Sequence, residues 1–224
     1  MSTVTIDTDK PPASMLDRIA ALAEARAQAR VAKLRARHPR ATRRELAELL
    51  VASFSRRAGW GGAATGAMAL ASFGLGLPAG VAVALGLQAE LVASLLALYG
   101  LEASGEAGRL KLFALWAGSG LSDAAKSVGL RTGAEALGHV LAGSLPARLG
   151  EKLHPLLVRA ILKRVGLGWL PRALELWPLA GAPLGYLVDS RMARALGRAS
   201  VEALEASAKV SGAVTRRAVL EAGR

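Results

Sequence analysis

Hydrophobic positions near the start of the chain recur at helical spacing. Leu16, Ile19, Ala23, Ala27, Val31 and Leu34 fall on one stripe, while Arg18, Arg26, Arg30, Lys33 and Arg37 fill much of the remainder, predicting an amphipathic helix from about Ser14. His38-Pro39 is expected to stop it, because a proline disfavours helical backbone in the residue before it. Thr42 is followed three residues later by Glu45, a pair whose side chains can cap each other's backbone amides. A second helix is therefore predicted from there to about Arg57, burying Leu46, Leu49, Leu50 and Phe54.

At Ala58 the pattern changes. The 44 residues from Ala58 to Leu101 carry one formal charge, Glu90, and Leu77-Pro78 divides them into arms of 18 residues (Gly59 to Gly76) and 23 residues (Pro78 to Gly100). At about 1.5 Å of rise per residue, either arm has the length to cross a hydrocarbon core of about 30 Å, the first only just. The first arm has five large apolar residues, Trp60, Met68, Leu70, Phe73 and Leu75. The rest is mostly Ala and Gly, which drive partitioning weakly. Gly62 and Gly66 stand at the GxxxG spacing that lets a neighbouring helix approach at backbone distance.

Beyond Gly100 the chain breaks into shorter amphipathic pieces, with turns expected at Gly105, Gly118-Ser119-Gly120, Gly129, Gly143 to Pro146, Gly166 to Pro171, and Pro178. No alternating β-branched run appears, so the fold class is all-α, a bundle of roughly eight to ten helices around a central Gly/Ala-rich hydrophobic hairpin. A last long helix is predicted from about Gly181 to Ala208. Its uncharged start holds Gly181 and Gly185, again at GxxxG spacing, and charge returns at Asp189. The hairpin is expected to pack against it. Four segments follow: a flexible tail over 1–13, a basic amphipathic arm over 14–57, a hydrophobic helical core over 58–208 and a C-terminal helical tail over 209–224.

Composition sharpens this picture. Hydrophobic residues make up 52% of the chain but aromatics only 4%, and there are 25 glycines, a mixture that packs helices closely with modest burial per residue. The absence of cysteine excludes disulfides, thiolate metal sites and cysteine nucleophiles. The opening, Met1 to Ser14, has no apolar run behind a basic start and does not read as a secretory signal. Net charge is +12, and Arg26, Arg30, Lys33, Arg35, Arg37, Arg40, Arg43 and Arg44 fall in one acid-free stretch. These eight are the candidate contacts to an anionic surface, lipid or nucleic acid. The stretch has no interleaved aromatics and no reader motif, which argues against nucleic acid. A basic arm leading into an uncharged Gly-rich block suits a membrane surface.

Candidate chemistry is sparse. His38, His139 and His154 assemble no metal-ligand motif with one another or with neighbouring carboxylates, and HExxH is absent. Gly74 to Gly80 spells a loose phosphate loop, but it follows an Ala-rich stretch rather than a strand and reads as a turn. Ser122 and Lys126 are one residue too far apart for the SxxK of acyl-transfer enzymes, and Ser122-Asp123 reads as a helix cap. No catalytic residue, metal or cofactor is assigned. Glu90 and Asp189 are the two candidate functional carboxylates: in lipid, Glu90 would have to face another helix or a polar cavity. The plainer reading makes Gln88 and Glu90 the wet face of a bundle helix, and Asp189 a cap or a bridge to Arg191 or Arg194. A metal-dependent hydrolase using either acid has no assembled motif.

Three stretches together resemble the EcsC protein family, named for a component encoded with a bacterial ABC-type exporter. They are Gly59 to Gly66 (GWGGAATG), Leu87 to Gly100 (LQAELVASLLALYG, before Glu102 to Glu106 and Arg109-Leu110) and Trp177 to Ala199 (WPLAGAPLGYLVDSRMARALGRA). Asp189 stands where the family often has Asn, and the basic arm is heavier than the family pattern. The resemblance implies a helical bacterial protein with no catalytic residues to carry over. The expected function is a non-enzymatic membrane-associated accessory or scaffold linked to transport or envelope processes. Its expected place is the cytoplasmic side of the inner membrane, peripheral or integral, with anionic membrane lipid and a membrane transport complex as partners. The alternative is a soluble helical bundle binding nucleic acid or an acidic protein through its basic N-terminal face.

Overall fold

In the computed structural model, residues 12–71, 77–103, 105–165 and 181–222 are described, and among them all regular structure is helical. The first helix, α1 (Pro12–Arg37), begins two residues earlier than the sequence pattern indicates, since the fixed φ of Pro12 suits a first turn. It ends before His38-Pro39, as the proline dictates. Residues 1–11 of the expected tail lie outside the described residues.

Thr42 caps α2 (Arg43–Ala71), accepting from the Glu45 amide at 3.3 Å while the Glu45 carboxylate accepts from the Thr42 amide at 2.7 Å. Those bonds hold the Glu45 carboxyl below its ordinary range, the Thr42 backbone amide contributing most. The predicted stop at Arg57 is not there. Helix α2 runs through Arg57 and Ala58 to Ala71, so both the end of the basic arm and the expected start of the hydrophobic arm fall inside one continuous helix. Loss of charge at Ala58 changes the surroundings of the backbone, not its conformation, and the glycines that follow cost only about 1 kcal/mol each against alanine. On its buried stripe Leu46, Ala47, Leu50 and Phe54 are enclosed, but Leu49, expected inside, is 39% exposed.

Helix α3 (Leu77–Leu98) ends in Gly100 at φ +77°, with the Leu101 amide returning to the Leu96 carbonyl at 2.9 Å. There follow α4 (Gly105–Ala117), a single 3-10 turn (Gly118–Gly120), α5 (Leu121–Ser127), α6 (Gly133–Ala142) and α7 (Ala147–Val165). The turns expected at Gly105, Gly118, Gly129 and Gly143 are present, each at positive φ, whereas those at 166–171 and Pro178 lie outside the described residues. The final helix, α8 (Gly181–Ala222), has 42 residues and passes Ala208 without a break, so the expected tail from 209 is its continuation.

Helix α2 packs along α8 and α3, and α1 lies along α3. On the other side α4 packs on α7 and α6, and α5 on α6. The core runs between these layers through Leu91, Leu95, Phe113, Trp116, Leu153 and Leu157, each fully enclosed. The fold is an all-α multi-helix bundle with α3 at its centre. Among the described residues no helix is long and apolar enough to cross a membrane.

Candidate anionic-surface site and buried polar pairs

The spacing of Arg26, Arg30, Lys33 and Arg37 places them along one face of α1. The structure divides the eight cations of this region into two groups. Four serve the fold. Arg30 pairs with Glu90 of α3, its guanidinium lying 4.9 Å from the centre of the Phe54 ring. Arg35 donates to the Leu98 carbonyl at the end of α3, at 3.1 Å. Arg43 lies 5.5 Å over the Tyr99 ring, and Arg44 bridges Glu48 at 3.4 Å and Glu205 of α8 at 3.0 Å. Burial raises the Tyr99 hydroxyl above its ordinary value, with the charge of Glu205 acting the same way.

The other four, Arg26, Lys33, Arg37 and Arg40, are exposed and form no ion pair among the described residues. At the corner where α1 turns into α2, a cavity of about 270 Å³ is lined by Arg35, His38, Pro39, Ala41, Arg43, Leu46 and Leu98. A basic rim over an apolar floor suits an anionic head group carried on an apolar body.

The two acids behave differently from the plain reading. Gln88 and Glu90 are buried, not on a wet face. Trp116 Nε1 donates to Gln88 Oε1 at 3.1 Å, so an indole from α4 satisfies the amide of α3. Glu90 is answered by Arg30 from α1. The later part of this second arm is enclosed by protein, with Leu85 and every residue from Gln88 to Leu96 buried, whereas Val83 is exposed. The sequence carried the rule that a buried acid needs a partner, but nothing pointed to a residue 60 positions away.

Gly62 and Gly185 sit against each other. A methyl group on Gly62 would meet the Gly185 carbonyl carbon at 2.8 Å, and one on Gly59 would meet the Tyr186 ring at 2.6 Å. Further along the same seam Gly197 faces Val51. Gly66 lies in α2 and Gly181 opens α8, but their surroundings are outside the described residues. Asp189 reaches the Gly62 position, and burial pushes its carboxyl up to about 6. The expected bridge to Arg191 or Arg194 does not occur among the described ion pairs.

No trio of His, Asp or Glu among the described residues is placed to hold a metal ion. His154 instead approaches Asp17 at 3.4 Å and the Phe113 ring at 5.0 Å, tying α7 to α1 and α4, while His139 Nδ1 bonds Ser144 Oγ at 3.0 Å across the end of α6. Leu77–Gly80, the tail of the loose phosphate-loop spelling, forms the first turn of α3. Comparison of the chain with protein-family models, curated proteins and solved structures gives no match.

Proposed function

We propose that the protein is a non-enzymatic helical accessory or scaffold that associates with anionic phospholipid at the cytoplasmic face of a bacterial inner membrane. The observation that carries this reading is the exposed cationic face of α1, Arg26, Lys33 and Arg37, which leads with Arg40 to the α1–α2 corner and its cavity rimmed by Arg35, His38 and Arg43. Each cation near an anionic leaflet contributes about 1 kcal/mol of attraction, so four free ones suffice for reversible binding. The resemblance to the EcsC family extends the reading to a role beside a membrane transport complex.

A second reading, a soluble bundle that engages nucleic acid or an acidic protein through the same face, is favoured by the burial of Gln88 to Leu96 of α3 within protein. Flotation with phosphatidylglycerol vesicles, neutral phosphatidylcholine vesicles and duplex DNA across a salt series separates the two. The first reading expects co-flotation with the anionic vesicles only, weakened by salt and by Lys33→Glu/Arg37→Glu. Retention on DNA in preference to vesicles of equal charge would sink it.

A further inference from the structure

Trp60 is 71% exposed, Val83 50% and Leu187 43%; among the described residues the other exposed large apolar side chains, Leu22 on α1 and Leu49 on α2, stand singly. They share one end of the molecule. The Trp60 ring stands edge-on to Tyr186 at 5.8 Å, next to Leu187, and the adjacent Gly61 lies against Val83, a methyl there being 3.6 Å from its Cγ1. The backbone at this end is free of formal charge from Ala58 to the end of α2, and from Gly181 to Val188 on α8.

Among the described residues charge returns directly behind this end, as exposed arginines and the partly buried Asp189. The contacts of Gly62 with Gly185 and of Val51 with Gly197 make α2 and α8 antiparallel. Arg56 and Arg57 on α2 and Arg191 on α8 fall between those two contacts, so they occupy one section of the pair, and all three are exposed. An apolar end backed by a cationic collar, with an indole between them, has the order of a bilayer interface: acyl chain, head group, water.

Resting on the membrane reading above, we infer that this end of α2, α3 and α8 is the part that enters the lipid, Trp60 seating in the head-group layer and Arg56, Arg57 and Arg191 meeting anionic phosphates. The occupant follows from the collar. A second copy of the chain docked end to end would bring like charges together, whereas an anionic leaflet neutralises them. The α1–α2 corner then supplies long-range attraction, and the uncharged end supplies the anchor.

The chain has no cysteine, so single introduced cysteines report position without background. Ala64→Cys, exposed on α2, and Glu106→Cys, exposed on α4 beyond the far end of α3, carry an environment-sensitive fluorophore on the full chain. With phosphatidylglycerol vesicles containing doxyl-labelled lipid, the Ala64 probe is expected to shift blue and be quenched, and the Glu106 probe to remain aqueous. Trp60→Ala, at an exposed position, is expected to weaken vesicle binding about tenfold with an unchanged helical spectrum. Protein that floats with vesicles while the Ala64 probe stays in water overturns the anchor and leaves the α1–α2 corner as the contact. Failure to float overturns both readings. A lipid-free Ala64 probe already shielded in a concentration-dependent way assigns the end to self-association and also overturns the anchor.

Discussion

Arg30 and Glu90 form a buried ion pair that fastens α1 to α3 across 60 residues of sequence. Glu90 is almost fully enclosed and Arg30 half-buried, with Phe54 stacked on the guanidinium and Nε left without a hydrogen-bond partner. Removing one partner strands a charge in the core, while replacing both restores apolar contact. Glu90→Ala is therefore expected to cost about 2–4 kcal/mol of unfolding free energy, and Arg30→Met/Glu90→Leu to recover most of it. Urea denaturation of the single and double variants measures the difference, and equal losses in both would show that the pair is not the source.

The glycine seam makes an asymmetric prediction. Gly62→Ala places a methyl against the Gly185 backbone, which cannot yield as a side-chain tip can. Overpacking of this kind is expected to lower stability by about 1–3 kcal/mol. Gly86→Ala in α3, where a methyl meets nothing within 4 Å, is expected to leave stability unchanged or raise it by up to about 1 kcal/mol. Thermal melts should show a lowered midpoint for Gly62→Ala and an unchanged or raised one for Gly86→Ala.

How much of this was legible depended on the range of the interaction. The proline stop at His38-Pro39 and the Thr42–Glu45 cap involve neighbours, and both the residue types and their spacing are local signals. The small-residue spacing at Gly62 and Gly185 marks close approach in the same way. The course of α2 beyond Arg57 was misread because a change from charged to uncharged side chains looks like a boundary in the sequence, yet the hydrogen-bonded backbone does not register it. Partners such as Arg30 for Glu90, Trp116 for Gln88 and Glu205 for Arg44 arise only from the packing of distant helices. Half of the basic stretch consequently proved to be internal fastening.

Asp189 should make stability depend on pH. Its carboxyl is raised to about 6 by burial, against about 4 for an ordinary aspartate, so the folded state holds the proton more tightly than the unfolded chain. The ionised acid therefore burdens the fold above about pH 6, and that burden fades as pH falls towards 4. Asp189→Asn is expected to be more stable than the parent at about pH 7.5 and nearly equal to it at about pH 4.5. A stability gap independent of pH, by urea unfolding at the two values, would refute this.

Trp116 tests a buried neutral pair. Trp116→Phe keeps an aromatic ring beside Phe113 but removes the donor to Gln88 Oε1. An amide oxygen left unpaired in the core costs about 1–3 kcal/mol. Trp116→Phe/Gln88→Leu is expected to be more stable than Trp116→Phe alone, and a double-mutant cycle on denaturation midpoints reads the coupling.

The α2–α8 seam also constrains the order in which the molecule can be made. Val51, Gly59 and Gly62 emerge during synthesis well before Gly197, Tyr186 and Gly185, the residues of α8 that they meet. A nascent chain stalled ahead of Gly181 should therefore expose a greasy, uncovered stripe on α2 to proteases and holdase chaperones, and become resistant only once α8 has left the ribosome.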